Sequence, residues 1–219
     1  PYQSYRSPCF LPDDQALSSL SDAMAVAVLY LCGWVCGCRY IKFVESHGAR
    51  AVPIPYNASD ERVEELFNGI NGVLFPGGGY ALPVAAKKMW ALAVAANDKG
   101  DHFPMWGTCL GFEWLVQLAG GTLDTGFDSE NVSLPLVMTE AAEGSRLFSP
   151  LDTHLYSMLQ DSTNTSAFNN HQAGITPEHF AATESLSSMF TVLRSHPLTP
   201  LNLPPPPPRN ALPPCLPPP

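Results

Sequence analysis

The fold is decided by residues 72–118, which read GVLFPGGGYALPVAAKKMWALAVAANDKGDHFPMWGTCLGFEWLVQL. Two apolar runs in this stretch, at residues 72–75 and 103–106, have the length of buried strands and lead into glycine-rich loops. Helical segments follow them at residues 84–96 and 110–118. Strands that alternate with helices over so short a span are typical of right-handed βαβ units, which predict a parallel sheet.

The same alternation continues on both sides of this stretch. Upstream, the pattern predicts three elements: a helix ending at 40–46 with Gly48 as its stop, a strand at 51–55, and a helix after an N-cap at Ser59 or Asp60. Downstream, it predicts three more: hairpin strands within 122–138, a helix at 178–189 and a short strand at 190–193. The sequence therefore predicts an α/β domain at residues 39–195 with a largely parallel sheet.

Composition excludes several classes of protein. The chain has 219 residues, 45% of them apolar and 14% charged, and its 20 acidic and 11 basic side chains give a net charge of −9. A nucleic-acid binder or a polybasic membrane-surface protein needs a basic face, so we expect neither. No uncharged apolar run reaches the roughly 18 residues of a spanning helix, so we expect no transmembrane span. The Cys-x3-Cys-x-Cys spacing within residues 32–38 matches no zinc pattern, and we expect no metal and no cofactor.

Both ends of the chain lack the strand–helix alternation. Residues 1–38 form a divergent N-terminal segment, whose apolar stretch at 23–38 suits either a signal-peptide core or a buried helix or strand. Of the 23 prolines, 12 lie in residues 197–219, so we expect residues 196–219 to form a Pro-rich disordered tail. The tail has the composition of a polyproline II ligand for an SH3 or WW domain, but an accidental reading frame would give the same composition.

Three Asn-x-Ser tripeptides fit the N-glycosylation acceptor, at Asn57, Asn131 and Asn164. One such tripeptide arises easily by chance. Three of them, each in an expected loop, favour a secretory route.

Two loops follow neighbouring strands, at the sheet edge where ligands bind in open parallel sheets. The first is residues 76–79, Pro-Gly-Gly-Gly, whose N–H groups can approach and bind an anion unless the segment is only a flexible turn. The second is residues 106–113, WGTCLGFE, which has the Gly-x-nucleophile-x-Gly form of a sharp strand-to-helix elbow. A lone cysteine is often just a small buried hydrophobe, but this elbow predicts Cys109 at the positive end of a helix, where the reactive thiolate is favoured. The N–H groups of Leu110 and Gly78 would then face a developing oxyanion.

A thiol nucleophile normally needs a histidine to take and return its proton. Six histidines are available, of which four are expected at the surface or at the wrong end of the sheet: His47, His102, His154 and His179. His171 lies in a polar segment, FNNHQ, predicted to be a loop that covers the carboxyl edge of the sheet. His196 stands directly before the Pro-rich tail.

Residues 40–195 resemble the γ-glutamyl hydrolases, folate-polyglutamate hydrolases of the peptidase C26 type that are related to class I glutamine amidotransferases. The resemblance is carried by four segments: YIKFVES at 40–46, GARAVPI at 48–54, NGVLFPGG at 71–78 and FPMWGTCLGFE at 103–113. It implies a class I glutamine amidotransferase-like (flavodoxin-like) three-layer sandwich, here incomplete at both ends. It also implies removal of γ-linked glutamates from folyl or antifolyl polyglutamates through an acyl-enzyme, in the lysosome, the vacuole or the extracellular space.

The resemblance further assigns roles to individual residues. It implies Cys109 as nucleophile and Gly78 and Leu110 as oxyanion donors. It implies four substrate-binding residues: Gly77, Gly79, Glu113 and His171. Lys87 and Lys88 are candidate partners for the substrate carboxylates, with a solvated helix face as the alternative, and a homodimer is the expected assembly.

Two departures from the family pattern leave a second function open. The family's catalytic histidine lies in a Gln-Trp-His-Pro-Glu type motif, which has no counterpart after Leu193, where this chain continues into His196 and Pro197. The family's first strand, central in its sheet, is expected to be missing before Tyr40. The alternative is therefore a catalytically impaired member that acts only as a binding or vestigial protein.

Overall fold

The computed structural model describes residues 25–30, 34–161, 163 and 167–196. The described elements run in the order β1 (Ala25–Tyr30), α1 (Trp34–Ser46), β2 (Arg50–Pro55), α2 (Asp60–Phe67), β3 (Gly72–Phe75), α3 (Val84–Asp98), β4 (Met105–Gly107), α4 (Leu110–Leu118), β5 (Asp124–Leu134), β6 (Val137–Met138), a 3₁₀ turn (Glu140–Ala142), α5 (Thr153–Gln160), β7 (Ala167–Gly174), α6 (Pro177–Ala182), α7 (Glu184–Ser187) and β8 (Arg194–Ser195). They divide into two compact units, one up to Trp114 and one from Leu115 onward.

A four-stranded parallel sheet in the order β2-β1-β3-β4 forms the centre of the first unit. Its strands are separated by α1, α2 and α3, as the alternation in the sequence predicted. β3 has the bounds that the sequence predicted and is buried along its whole length, because both of its edges are paired and its residues are apolar. The prediction of an α/β fold with a largely parallel sheet is confirmed for this unit.

The sequence predicted that the family's central strand is missing before Tyr40, and this prediction is wrong. Residues Ala25–Tyr30 form β1, which pairs with all of β2 on one side and with β3 on the other. The apolar stretch at 23–38 contains this strand and the start of α1. Of the two interpretations of this stretch, a signal-peptide core or a helix or strand of the fold, the structure shows the second. A strand paired on both sides satisfies backbone groups that its neighbours would otherwise leave unpaired.

The helices of the first unit begin and end where local chemistry predicts. Gly48 stops α1 with a φ of 84°, a left-handed conformation that glycine adopts without strain. Ser59 caps α2 by accepting a hydrogen bond from the Arg62 N–H.

Val63 and Leu66 bury the inner face of α2. The outer face carries Glu64, whose ion pair with Lys88 of α3 raises the lysine pKa through their hydrogen bond.

Antiparallel strands characterise the second unit. β5 pairs with β7, whose residue Ala167 lies opposite Leu134, and β6 pairs with β8. The predicted hairpin within 122–138 is therefore wrong, because β5 finds its partner well beyond the next turn. The predicted strand at 190–193 also forms later, as β8.

The predicted helix at 178–189 is two helices in the structure. Thr176 caps α6 by accepting from the His179 N–H, and Pro177 occupies the first turn, where its missing N–H costs nothing. The chain then becomes extended at Thr183, with ψ at 97°, before α7 begins. Leu186 of α7 is fully buried beside Gly121, where a β carbon would lie only 2.6 Å from the leucine methyl. Among the described residues, no helix is long and apolar enough to cross a bilayer.

Candidate active site

The two loops singled out by sequence leave the same edge of the parallel sheet. β3 and β4 are hydrogen-bonded neighbours, with Phe75 opposite Gly107 at their carboxyl ends. The Thr108 N–H donates to the Phe75 carbonyl at 3.0 Å and extends this pairing into the loops. The segment that carries Cys109 therefore lies against the start of the glycine loop.

The sharp turn between β4 and α4 has the geometry that the glycine spacing predicted. Cys109 adopts φ 58°, a left-handed conformation that costs energy for any residue with a β carbon. Gly111 packs directly on the Phe75 backbone, and a β carbon on it would overlap the Phe75 carbonyl group. The elbow is closed by the Gly111 N–H, which donates to the Thr108 carbonyl at 2.9 Å.

The start of α4 creates a positive environment next to the thiol. Cys109 directly precedes this helix, is half-buried and is not part of a disulfide among the described residues. The Glu113 N–H donates to the Cys109 carbonyl at 3.1 Å, whereas helix geometry provides no carbonyl for the N–H of Leu110. The Cys109 side chain therefore stands at the end of α4 that carries a partial positive charge.

The glycine loop is ordered by a contact that the sequence did not predict. Pro76 and Gly77 are buried, and Gly78 is exposed. The Gly77 N–H donates to the hydroxyl of Tyr40 on α1, with 2.9 Å between the nitrogen and Oη. The interpretation of residues 76–79 as only a flexible turn does not agree with this hydrogen bond, which fixes Gly77 against α1.

Tyr40 was missed as a site residue, although one signal could have found it. It lies four residues before Val44 on the face of α1 that packs on Ala51 and Leu74. A tyrosine on an apolar helix face needs a hydrogen-bond partner for its hydroxyl, and the buried glycine loop provides one.

The remaining candidates in the first unit lie close to the elbow or away from it. Glu113 is half-buried in the first turn of α4, and Gly79 follows the exposed Gly78. Lys87 is exposed on α3, and Lys88 is engaged with Glu64. The solvated-face alternative for these two lysines therefore agrees with the structure.

His171 does not lie in a loop, contrary to the sequence prediction. It is part of β7 in the second unit, opposite Ser129 of β5. The Ser129 hydroxyl donates to the backbone carbonyl of His171. The local pattern of this polar segment predicts a loop because its strand partner lies far away in the sequence.

His179 is also placed differently from the prediction, which put it at the surface. Its ring is half-buried, and Nδ1 lies 2.8 Å from Oδ1 of Asp124 on β5. The other oxygen of Asp124 accepts the Thr176 N–H at 2.9 Å. Burial pushes the pKa of Asp124 upward, but the hydrogen bonds from Thr176 and His179 outweigh burial and lower that pKa.

His196 is held in a way that disfavours proton uptake. Its Nδ1 lies 3.2 Å from the Pro135 carbonyl, and its Nε2 lies 3.2 Å from Nη1 of Arg194. Burial lowers the pKa of His196; the Pro135 carbonyl opposes this effect, and the charge of Arg194 adds to it. The neutral ring that donates through Nδ1 and accepts from Arg194 fits these contacts.

Two of the three sequon asparagines are accessible in the structure. Asn57 is exposed in the turn after β2. Asn131 is exposed on β5, in an irregular part of the strand where its φ is 54°. Asn164 lies outside the described residues.

A parallel sheet whose strands alternate with helices, with a cysteine at the elbow between β4 and α4, defines an α/β protein. A family model described as Peptidase C26 matches residues 35–196, so the chain belongs to the Peptidase C26 family. The chain is 42% identical over 163 residues to the gamma-glutamyl hydrolase of Mus musculus. This alignment covers 72% of this chain and 51% of the mouse protein. The chain is also 38% identical over 165 residues to gamma-glutamyl hydrolase B of Dictyostelium discoideum. That alignment covers 72% of this chain and 47% of the relative.

The chain spans about half the length of these curated relatives. Among solved structures, a glutamine amidotransferase of Thermotoga maritima aligns with a TM-score of 0.40 and 15% identity, covering 58% of this chain and 57% of that one. Membership of the family rests on the family model and on the identity to the two hydrolases.

Proposed function

We propose that this chain carries the nucleophile of a γ-glutamyl hydrolase, which removes γ-linked glutamates from folyl or antifolyl polyglutamates. The observation that carries the proposal is the elbow, where Cys109 has a left-handed backbone at the start of α4 and contacts the glycine loop after β3. The relatives named as gamma-glutamyl hydrolases support the type of reaction. Because the chain spans only about half of their length, the activity of the whole protein is part of this proposal.

In the proposed reaction, the thiolate sulfur of Cys109 attacks the carbonyl carbon of the γ-amide and forms a tetrahedral oxyanion. The N–H groups of Gly78 and Leu110 stabilise that oxyanion by donating hydrogen bonds to it. The carbon–nitrogen bond then breaks, the leaving nitrogen takes a proton from solvent water and departs as an amine, and a thioester remains on Cys109. Water attacks the thioester, releases the shortened folate as a carboxylate and restores the thiol.

Four further residues are proposed to hold the substrate. Gly77 and Gly79 flank the proposed oxyanion donor, and Glu113 lies in the first turn of the helix that follows the nucleophile. His171, which lies on β7, is the fourth residue of this proposal.

We also propose that the protein is a glycoprotein of the lysosome, the vacuole or the extracellular space, and that it acts as a homodimer. The exposure of Asn57 and Asn131 supports glycan attachment at these positions. Digestion of the secreted protein with peptide N-glycosidase tests the glycans, and sedimentation velocity tests the dimer.

A second candidate function is binding of the same substrates without turnover. It is favoured by the surroundings of His196, the histidine that follows Leu193 in this chain, because a ring nitrogen that already accepts a hydrogen bond from a guanidinium is a poor proton acceptor.

The experiment that tests the proposed function is cleavage of pteroyl-pentaglutamate by the purified chain, compared with Cys109→Ala. We expect the wild-type chain to shorten the substrate and the variant to lose at least about 1000-fold in rate, because no other group replaces a covalent nucleophile. Circular dichroism of both proteins controls for folding, and calorimetry measures substrate binding separately.

The outcomes of this experiment differ for the two candidates. Equal cleavage by the wild type and Cys109→Ala would remove Cys109 from the reaction. A folded wild-type chain that binds pteroyl-pentaglutamate without shortening it would favour the binding protein.

A further inference from the structure

Tyr40 and Cys109 both lie next to Gly77 of the glycine loop. The Gly77 N–H donates a hydrogen bond to Tyr40 Oη at 2.9 Å. A β carbon built on Gly77 would lie 3.0 Å from this oxygen, 3.1 Å from the Cys109 β carbon and 3.4 Å from its sulfur. Gly77 therefore fits beside both the phenol and the thiol because it has no side chain, and a β carbon in its place would crowd one of them.

This hydrogen bond determines which N–H of the glycine loop remains for a ligand. The N–H of Gly77 points at Tyr40 and cannot also donate to an oxyanion with good geometry. Pro76 has no N–H at all. Within residues 76–78, the group left to donate to a substrate carbonyl is the N–H of Gly78, which is also the exposed residue of the three.

The phenol is itself held in a fixed place. Tyr40 is half-buried on α1 and packs on the cluster formed by Val44, Ala51 and Leu74, which joins α1 to two strands of the sheet. Its ring is anchored by packing, and its hydroxyl accepts from the loop. Phenylalanine would keep the packing and lose only the acceptor.

We propose that Tyr40 is a positioning residue for the nucleophile: it accepts the Gly77 N–H and thereby turns the Gly78 N–H toward the carbonyl group that Cys109 attacks. This inference rests on the proposed role of Cys109 and adds a residue from α1 that acts through the glycine loop. Loss of the hydroxyl leaves the thiol in place and reactive but releases the oxyanion donor.

Two reagents separate these effects. The thiolate of Cys109 attacks the carbonyl carbon of p-nitrophenyl acetate, forms a thioester and expels p-nitrophenolate, a step that develops an oxyanion. The same thiolate displaces iodide from the saturated carbon of iodoacetamide, a step that develops none. The ratio of the two rates therefore reports the oxyanion donor independently of the reactivity of the thiol.

The variant is Tyr40→Phe, and the matched control is Tyr56→Phe, since Tyr56 is an exposed tyrosine of the same unit. We expect Tyr40→Phe to slow acetylation of Cys109 by about tenfold or more while alkylation stays within about twofold of wild type. Tyr56→Phe should match the wild type in both reactions, and Cys109→Ala gives the background.

The proposal is overturned if Tyr40→Phe is acetylated as fast as the wild type, or if acetylation and alkylation fall together. Neither reagent is a γ-glutamyl substrate, so the result can be read even if the chain does not cleave polyglutamates. Wild-type acetylation without polyglutamate cleavage contradicts only the proposed substrate. A wild-type chain whose Cys109 is not acetylated contradicts both the proposed nucleophile and this inference.

Amide hydrogen exchange provides a second measurement that needs no variant. In the wild-type chain, the Gly77 amide should exchange at least about tenfold more slowly than the Gly78 amide, because only the former is hydrogen-bonded to Tyr40. Equal exchange at the two glycines would overturn the proposal.

Discussion

At the scale of single residues, the closest packing beside the candidate nucleophile is at Gly111. A β carbon at this position would overlap the Phe75 carbonyl group and lie 2.8 Å from the Phe75 β carbon. We expect Gly111→Ala to lower the free energy of unfolding by at least about 3 kcal/mol, because the backbone of β3 is paired on both sides and cannot move away. Urea unfolding followed by circular dichroism measures this loss.

The matched control for Gly111→Ala is Gly174→Ala. A β carbon on Gly174 would lie 3.5 Å from the nearest atom of Phe127, an ordinary van der Waals distance. The control should change the free energy of unfolding by less than about 1 kcal/mol. Comparable losses in the two variants would contradict the close approach at Gly111.

At the candidate site, the sequence predicted the position of Cys109 but not the contact of Tyr40 with the glycine loop. The elbow is a local device, so the glycine spacing around Cys109 was enough to predict its turn and its place before a helix. The contact between Tyr40 and Gly77 joins residues 37 positions apart. Such a contact depends on where α1 lies over the sheet, and no local pattern encodes that position.

At the scale of elements, the sequence predicted best those helices and strands whose signals are local. The bounds of β3 and α4 agree with the prediction because each is an apolar run flanked by turn residues. The pairing of β5 with β7 was not predicted, because antiparallel partners separated by α5 leave no trace in either segment alone. β1 was left undecided by the sequence, because its apolar residues suit a signal-peptide core as well as a buried strand or helix.

The N-cap of α2 is an element-scale feature with a measurable contribution. The Ser59 hydroxyl accepts the Arg62 N–H at 3.3 Å, one of the donors that a helix cannot satisfy internally. We expect Ser59→Ala to lower the free energy of unfolding by about 1 kcal/mol. Ser59→Asp should retain the wild-type value, because aspartate also caps and its charge suits the helix start. Equal losses for alanine and aspartate would show that the cap does not stabilise α2.

At the scale of the whole chain, the two units are built by different kinds of pairing. The first unit pairs strands in parallel, with helices as crossovers, and its core is formed by buried residues from β3, α2 and α3. The second unit pairs strands antiparallel and has fewer fully buried side chains among the residues whose burial the structure describes. Among the described residues of the second unit, polar contacts such as those of Asp124 with Thr176 and His179 join segments far apart in the sequence.

Asp124 is the carboxylate that joins β5 to α6 within the second unit. It accepts the Thr176 N–H at the helix cap and contacts Nδ1 of His179. We expect Asp124→Asn to lower the free energy of unfolding by about 1–2 kcal/mol near pH 7, since both partners lose a charged acceptor. The matched control is Asp128→Asn, an exposed carboxylate on the same strand, for which we expect no change.

The pH dependence of this loss follows from the direction of the Asp124 pKa. Because that pKa is lowered in the folded chain, the stabilisation by Asp124 is fully present above the unfolded value of about 4 and disappears as the pH falls through the folded value. The wild type and Asp124→Asn should therefore differ near neutral pH and converge as the pH falls below about 4. Urea unfolding at several pH values and exchange of the Thr176 amide measure this convergence. A difference that stays constant down to pH 2 would mean that the ionised carboxylate of Asp124 does not stabilise the second unit.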